Sequence, residues 1–151
     1  MSSLLIVYHS QSGSCAALAR AATRGAAAEE GVQVSLRRAC DAGIDDLGKA
    51  SGLLLVAAEN SGSLSGGAKE FLDRVFYPAI DRSLVLPYAL MISAGNDGRG
   101  AVSQAERIFK GIPFTVASPP QIFRGPASDE HLAAAAETGQ ALAAGLSMGI
   151  F

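Results

Sequence analysis

The chain predicts an α/β fold built on a parallel, doubly wound sheet. Strand-length apolar segments alternate with longer helical segments along its length. Three of the strand segments are continuous apolar runs and two alternate apolar with polar residues. The first run, Leu4-Leu5-Ile6-Val7-Tyr8, stops at a short loop of hydroxyls and one glycine that leads straight into a helix.

In order, the first strand is expected at 4–8 and a helix at 14–29. The second strand, 32–37, sets Val32, Val34 and Leu36 against Gln33, Ser35 and Arg37. A stretch at 44–50 holds at most a short helix. The third strand, 53–58, is again a continuous apolar run. A helix at 66–77 carries Phe71, Leu72, Val75 and Phe76 at core spacing. The fourth strand is expected at 88–93 and a helix at 101–110. The fifth strand, 114–117, resumes near 121–123 and sets Phe114 and Val116 against Thr115 and Ser118. An Ala-rich packing helix follows at 129–146.

Strands buried on both faces read as continuous apolar runs, whereas alternating strands suit sheet edges. Strands two and five therefore belong at the edges, and the order is 2-1-3-4-5. Right-handed crossovers then place helices on both faces. Ligands of such sheets bind at the carboxyl ends of the strands, at the switch point between strands one and three.

The bulk numbers narrow the function. A length of 151 residues implies a single domain, 1–151. With 49% hydrophobic and 17% charged residues, a full core forms and disorder is not expected. No apolar run nears the roughly 18 residues that span a membrane, and no basic segment precedes the first run, so neither a membrane partner nor a secretion signal is expected. A net charge of −2, without a basic patch interleaved with aromatics, argues against nucleic acid. Cys15 and Cys40 fit no metal-ligand spacing. A cytoplasmic protein with a small-molecule partner is the expectation, and a homo-oligomer stays open.

The loop Ser10-Gln11-Ser12-Gly13-Ser14-Cys15 has the makings of an anion site. Its serines offer hydroxyl donors, Gly13 lets backbone N–H groups approach, and the positive end of the helix dipole points at the same spot. No lysine follows the glycine and no spaced glycine triplet is present, which separates it from the commonest nucleotide loops. A phosphate held by neutral donors suggests a monoester. The plainer alternative is a serine-rich turn with an ordinary N-cap. Two further loops share the carboxyl edge: Glu59-Asn60-Ser61-Gly62-Ser63-Leu64-Ser65-Gly66-Gly67 and Ala94-Gly95-Asn96-Asp97-Gly98-Arg99-Gly100. Both are poor in bulky side chains and can bring backbone close to a flat ligand, although Gly and Ser are also good turn formers.

On these residues the chain resembles the flavodoxin-like family of FMN proteins over essentially its whole length. The first loop is similar to the family's hydroxyl-x-hydroxyl-Gly-x-hydroxyl phosphate loop. The run from Asn60 to Arg74, with Lys69-Glu70-Phe71-Leu72-Asp73-Arg74, resembles its second flavin loop and helix, and Ala94 to Ala101 resembles the third. The resemblance implies a flavodoxin-like three-layer sandwich with a five-stranded parallel sheet. It further implies FMN held by Ser10, Gln11, Ser12, Gly13, Ser14, Cys15, Glu59, Asn60, Ser61, Gly62, Ser63, Leu64, Ala94, Gly95, Asn96, Asp97, Gly98 and Gly100.

The chain departs from the family in two ways. Cys15 stands where the family has Thr or Ser, and a thiol is a weak donor; the alternative is a cysteine that only packs. Loops two and three carry no Trp or Tyr, and the chain is near neutral, unlike the acidic electron carriers. It thus looks closest to flavodoxin-like NAD(P)H:quinone reductases and flavin reductases. The implied activity is FMN-dependent oxidation of NAD(P)H, the co-substrate, with a quinone or similar small molecule as electron acceptor. No side chain need act as acid or base. The alternatives are an electron-transfer flavodoxin, a carrier, or a fold that has lost flavin binding. His9 is expected to be packed and His131 solvated. Glu59 and Asp97 either accept from a flavin imide N–H or cap a loop. Arg99 and Arg124 are the cations expected near this edge, candidates for a pyridine-nucleotide phosphate or for the anionic reduced flavin, with a surface salt bridge the plainer account of Arg124.

Overall fold

The computed structural model describes the whole chain, Met1 to Phe151. The elements run β1 (Ser2–Tyr8), α1 (Ser14–Ala27), β2 (Val32–Arg38), α2 (Ile44–Lys49), β3 (Gly52–Asn60), β4 (Ser63–Leu64), α3 (Gly66–Asp81), β5 (Pro87–Ala94), α4 (Arg99–Gly111), β6 (Thr115–Val116), β7 (Gln121–Arg124) and α5 (Asp129–Met148). The sheet order is β2-β1-β3-β5, with β6 and β7 both on the far edge of β5. The expected order is realised, and all of these pairings are parallel.

Period-two alternation divides the interior into two cores. Leu5, Val7, Leu53, Leu55, Leu90 and Ile92 face α2, α3 and α4, where they meet Leu47, Phe71, Leu72, Val75 and Phe109. Leu4, Ile6, Leu54, Val56 and Met91 face α1 and α5, where they meet Leu18, Ala22, Leu142 and Ala143. The central strands are buried on both faces, as their unbroken apolar runs require. On β2 only Val32, Val34 and Leu36 pack, against the α1–α5 core.

The fifth strand is interrupted as expected, and its two pieces, β6 and β7, extend one column along β5. Ser118-Pro119-Pro120 separates them, because proline has no N–H to give the ladder. The stretch Ser61-Gly62 is a two-residue hairpin turn that returns β4 antiparallel onto β3. Both turn residues have positive φ, 51° and 77°, the sign that a type I′ turn needs at each central position. Helix α3 runs past the expected end at 77, through Pro78, to Asp81; a proline in the last turn removes one hydrogen bond without ending the helix. No helix is long and apolar enough to cross a membrane.

Helices α1 and α5 cross backbone to backbone. A Cβ on Gly25 would overlap the carbonyl oxygen of Ala136, and one on Gly139 would overlap that of Ala22. Alanine in a helix is ordinarily better than glycine by about 0.5–1 kcal/mol. Here the sign should reverse: Gly139→Ala forces the helices apart and should destabilise the protein by about 1–3 kcal/mol. Urea unfolding followed by circular dichroism measures this, and a stabilised variant would contradict the packing.

Candidate functional site

The first loop takes its shape from its own side chains. Ser10 Oγ accepts from the Gly13 N–H at 3.1 Å. Gly13 has φ of 103° and is the N-cap of α1, a left-handed position that favours glycine. The first intrahelical bond is donated by the Ala17 N–H to the Gly13 carbonyl. The N–H groups of Ser14, Cys15 and Ala16 therefore have no partner within the helix. Ser14 Oγ accepts from the Ala127 N–H at 3.3 Å, which ties this loop to the one between β7 and α5. In both Ser10 and Ser14 a backbone N–H occupies the hydroxyl oxygen, and the O–H proton is left to donate.

The second and third loops hold each other. Glu59 Oε2 accepts from the Ala101 N–H at 3.2 Å, in the first turn of α4. The Leu64 N–H donates to Gln104 Oε1 at 2.8 Å. A Cβ on Gly100 would overlap the Gly62 carbonyl oxygen, so the hairpin tip and the start of α4 meet backbone to backbone. Asp97 Oδ1 accepts from the Arg99 N–H at 3.2 Å. Both carboxylates thus cap α4, which begins at Arg99 rather than at 101. Gly98, with φ of 70°, is the N-cap. Across the edge, Asn60 Nδ2 donates to Gln11 Oε1 at 3.0 Å, joining the first loop to the second.

These loops enclose a cleft of about 480 Å³ at the switch point between β1 and β3. Of the residues singled out in the sequence, Ser12, Ser14, Glu59, Asn60, Ala94 and Gly95 line it. Ser10, Gln11, Gly13, Ser61, Gly62, Ser63, Leu64, Asn96, Asp97, Gly98 and Gly100 lie in the surrounding loops without lining it. Ala58, Ser93, Gly125 and Pro126 also line the cleft and escaped the sequence reading. The signal for Gly125 and Pro126 was in the strand order itself, since the loop after the fifth strand ends on the same edge as the other three.

Cys15 is 3% exposed and packs in the α1–α5 core. Burial pushes its thiol up to about 11, opposed by a hydrogen bond with the Ser93 backbone. The thiol thus faces the interior, and what Cys15 leaves to the loop is its N–H. His9 is packed: Nδ1 lies 3.1 Å from Ser65 Oγ, and a side chain on Gly67 would overlap the ring. It lines a smaller neighbouring cleft of about 340 Å³ with Arg38, Cys40 and Glu70. His131 is not solvated as expected. Its ring centroid lies 5.2 Å from that of buried Phe123, because the first turn of α5 lies over β7. In the helix run that resembles the family's, Lys69 pairs with Asp73 at 2.7 Å, and Arg74 pairs with Glu70 and donates to the Ala39 and Ala42 carbonyls. These residues anchor α3 and do not line the cleft.

Two measurements follow from this geometry. The buried Cys15 ionises less readily in the fold than in the unfolded chain, where its pKa is near 9.0. The native state keeps the proton that the unfolded state loses, so stability is full below pH 9 and declines as pH rises towards about 11. Cys15→Ala should remove that part of the decline in urea titrations at pH 8 and pH 10.5, and identical pH slopes would place the thiol in water. Gly100→Ala should push the hairpin tip off α4 and lower stability by about 1–3 kcal/mol. Amide exchange at Leu64 and Ala101 should quicken, and unchanged protection there would separate the two loops.

Solved structures share this arrangement. A flavodoxin from the domain Archaea superimposes with a TM-score of 0.81, at 20% identity, over 95% of this chain and 98% of that one. The flavodoxin, WrbA-like protein from Agrobacterium tumefaciens does so at 0.81 and 16% identity, over 98% and 99%. The flavodiiron protein from Giardia intestinalis also scores 0.81, at 16% identity, over 97% of this chain, which spans 36% of that longer one. No protein-family model and no curated protein sequence matches the chain. Strand order, layers and these superpositions agree that the chain has the flavodoxin-like fold.

Proposed function

We propose that the cleft binds FMN, with its phosphate in the first loop, and that the protein is an FMN-dependent oxidoreductase that reduces a quinone or similar small acceptor with NAD(P)H. The observation that carries this reading is the donor set at the amino end of α1. Ser10 and Ser14 have their oxygens engaged by backbone N–H groups, and their protons remain to donate. The unpaired N–H groups of the first turn and the helix dipole add to the same spot. Such a site favours a compact anion, and the cleft beside it falls within the usual range of about 300–1,000 Å³ for small-ligand sites.

The flavin, when bound, supplies the redox chemistry, and the protein supplies binding, orientation and electrostatics. Ser12 and Ser14 would hold the phosphate. The backbone at Ala58, Ser93 and Gly95 would line the remainder of the ligand, with Glu59 and Asn60 fixed on the side of the hairpin. Glu59 is kept in place by the Ala101 N–H, so its carboxylate need not reorganise when a ligand enters. Loops two and three place no aromatic ring over the cleft, and a second planar molecule could stack from solvent. That opening favours a reductase with a small acceptor over a carrier whose flavin is shielded.

FMN should bind far more tightly than riboflavin, because the loop is built for a phosphate. A hydrogen bond to a charged group is worth about 1.5–3 kcal/mol, so Ser12→Ala should weaken FMN about ten-fold or more and leave riboflavin unchanged. Fluorescence quenching measures both constants. Equal affinity for the two flavins would sink the phosphate assignment. Steady-state NAD(P)H oxidation with an added quinone tests the activity, and bound FMN without turnover would leave the carrier.

A further inference from the structure

We propose that Arg99 and Arg124 form a specificity contact at the mouth of the cleft, taking a phosphomonoester carried by the nucleotide co-substrate. The inference rests on the flavin reading of the cleft and adds which co-substrate it accepts. No cationic side chain lines the cleft, and Glu59 is its one charged wall residue. A polyanionic nucleotide entering there must find its positive charge at the rim.

Two arginine residues flank one corner of that rim. Arg124 ends β7 in register with Ala94 of the cleft wall and directly precedes Gly125, another wall residue. Along β7, Phe123 turns into the α1–α5 core, so Ile122 and Arg124 face the opposite side. Ile122 meets the start of α4: a Cβ on Gly98 would lie 2.8 Å from its Cγ2. Arg99, the next residue, opens α4. Strand alternation and this contact bring Arg99 and Arg124 to the same corner, beside the third loop.

Both arginines are exposed, and neither forms an ion pair. Arg20, Arg24, Lys49, Arg107 and Lys110 are likewise without an ion pair, so it is their place beside the cleft that singles out Arg99 and Arg124. The carboxylate beside Arg99, that of Asp97, accepts from the Arg99 backbone N–H and forms no ion pair with the guanidinium. A cation in the first turn of a helix also opposes the helix dipole, and this first turn has no acidic residue of its own. The Asp97 and Glu59 carboxylates that cap α4 supply the compensating negative charge, so Arg99 is tolerated there with its guanidinium left for a ligand. Planar guanidiniums bind phosphate oxygens in bidentate fashion, and a phosphomonoester concentrates about 1.5–2 charges on one phosphate, against about one on each phosphate of the pyrophosphate common to all pyridine dinucleotides.

NADP+ and NAD+ differ by one 2′-phosphate and make the comparison direct. Calorimetric titration of each into the protein, with and without FMN, should show NADP+ binding about ten-fold or more tightly than NAD+. Arg99→Gln with Arg124→Gln should bring the two ligands to within about two-fold, the loss expected when a charge-assisted contact is removed. Rising salt should erase the preference in the parent protein as well. FMN titration of the same proteins tests the flavin reading separately, and the double variant should keep the parent's FMN affinity. Equal binding of NADP+ and NAD+ by the parent, or a preference that survives the double substitution, would overturn the proposal. So would a loss of FMN affinity in the variant, which would assign the arginines to the flavin's own phosphate.

Discussion

The backbone contact between α1 and α5 is the constraint on which the rest of the molecule depends. Gly25 and Gly139 let each helix press on a carbonyl of the other, opposite Ala136 and Ala22. At that spacing the two helices cover the β1–β3–β5 face with small residues, and Leu18, Leu142 and Cys15 fill the remaining space. The position of α1 follows, and with it the place where the α1 dipole and its unpaired N–H groups reach the edge of the sheet. A wider crossing would shift that end relative to the strands and separate Ser14 from Ala127.

The carboxyl edge is built as a set of braced loops. Each loop is tied to a neighbour by a bond long in sequence: Gln11 to Asn60, Ser14 to Ala127, Glu59 to Ala101 and Leu64 to Gln104. Short Gly- and Ser-rich loops carry little packing of their own, and these bonds take the place of a core. Backbone contact between Gly62 and Gly100 closes the set. The outcome is a cleft whose walls are mostly backbone and small side chains, with serine hydroxyls at one end and Glu59 as its one charged wall residue.

The two cores differ in character, and this separates support from function. The α2–α3–α4 side holds the large rings, with Tyr88 stacked on Phe109 at 4.0 Å and Phe109 near Phe114 at 6.0 Å. On the α1–α5 side alanine is the commonest residue, with Gly139 and Gly145 buried in α5 and Phe123 the one buried ring. Large rings fill the side away from α1. Small residues allow the close approach that sets α1. Cys15 belongs to this second layer: it is small, apolar and deeply buried, in a position next to a hydroxyl-rich loop.

Strand order, the two-sided burial of β1, β3 and β5, and the clustering of three small-residue loops on one edge were all legible in the sequence. They are written in the period of apolar residues, and burial of those residues is what drives folding. The direction of the Cys15 thiol and the partner of Glu59 were decided by tertiary structure. Each depends on a group distant in sequence. Cys15 turns inward because α5 closes over it, and Glu59 caps α4 because Gly100 lets that helix start against the hairpin tip. Periodicity states which face of a segment is buried; which polar partner a loop residue meets is settled only when the layers are packed.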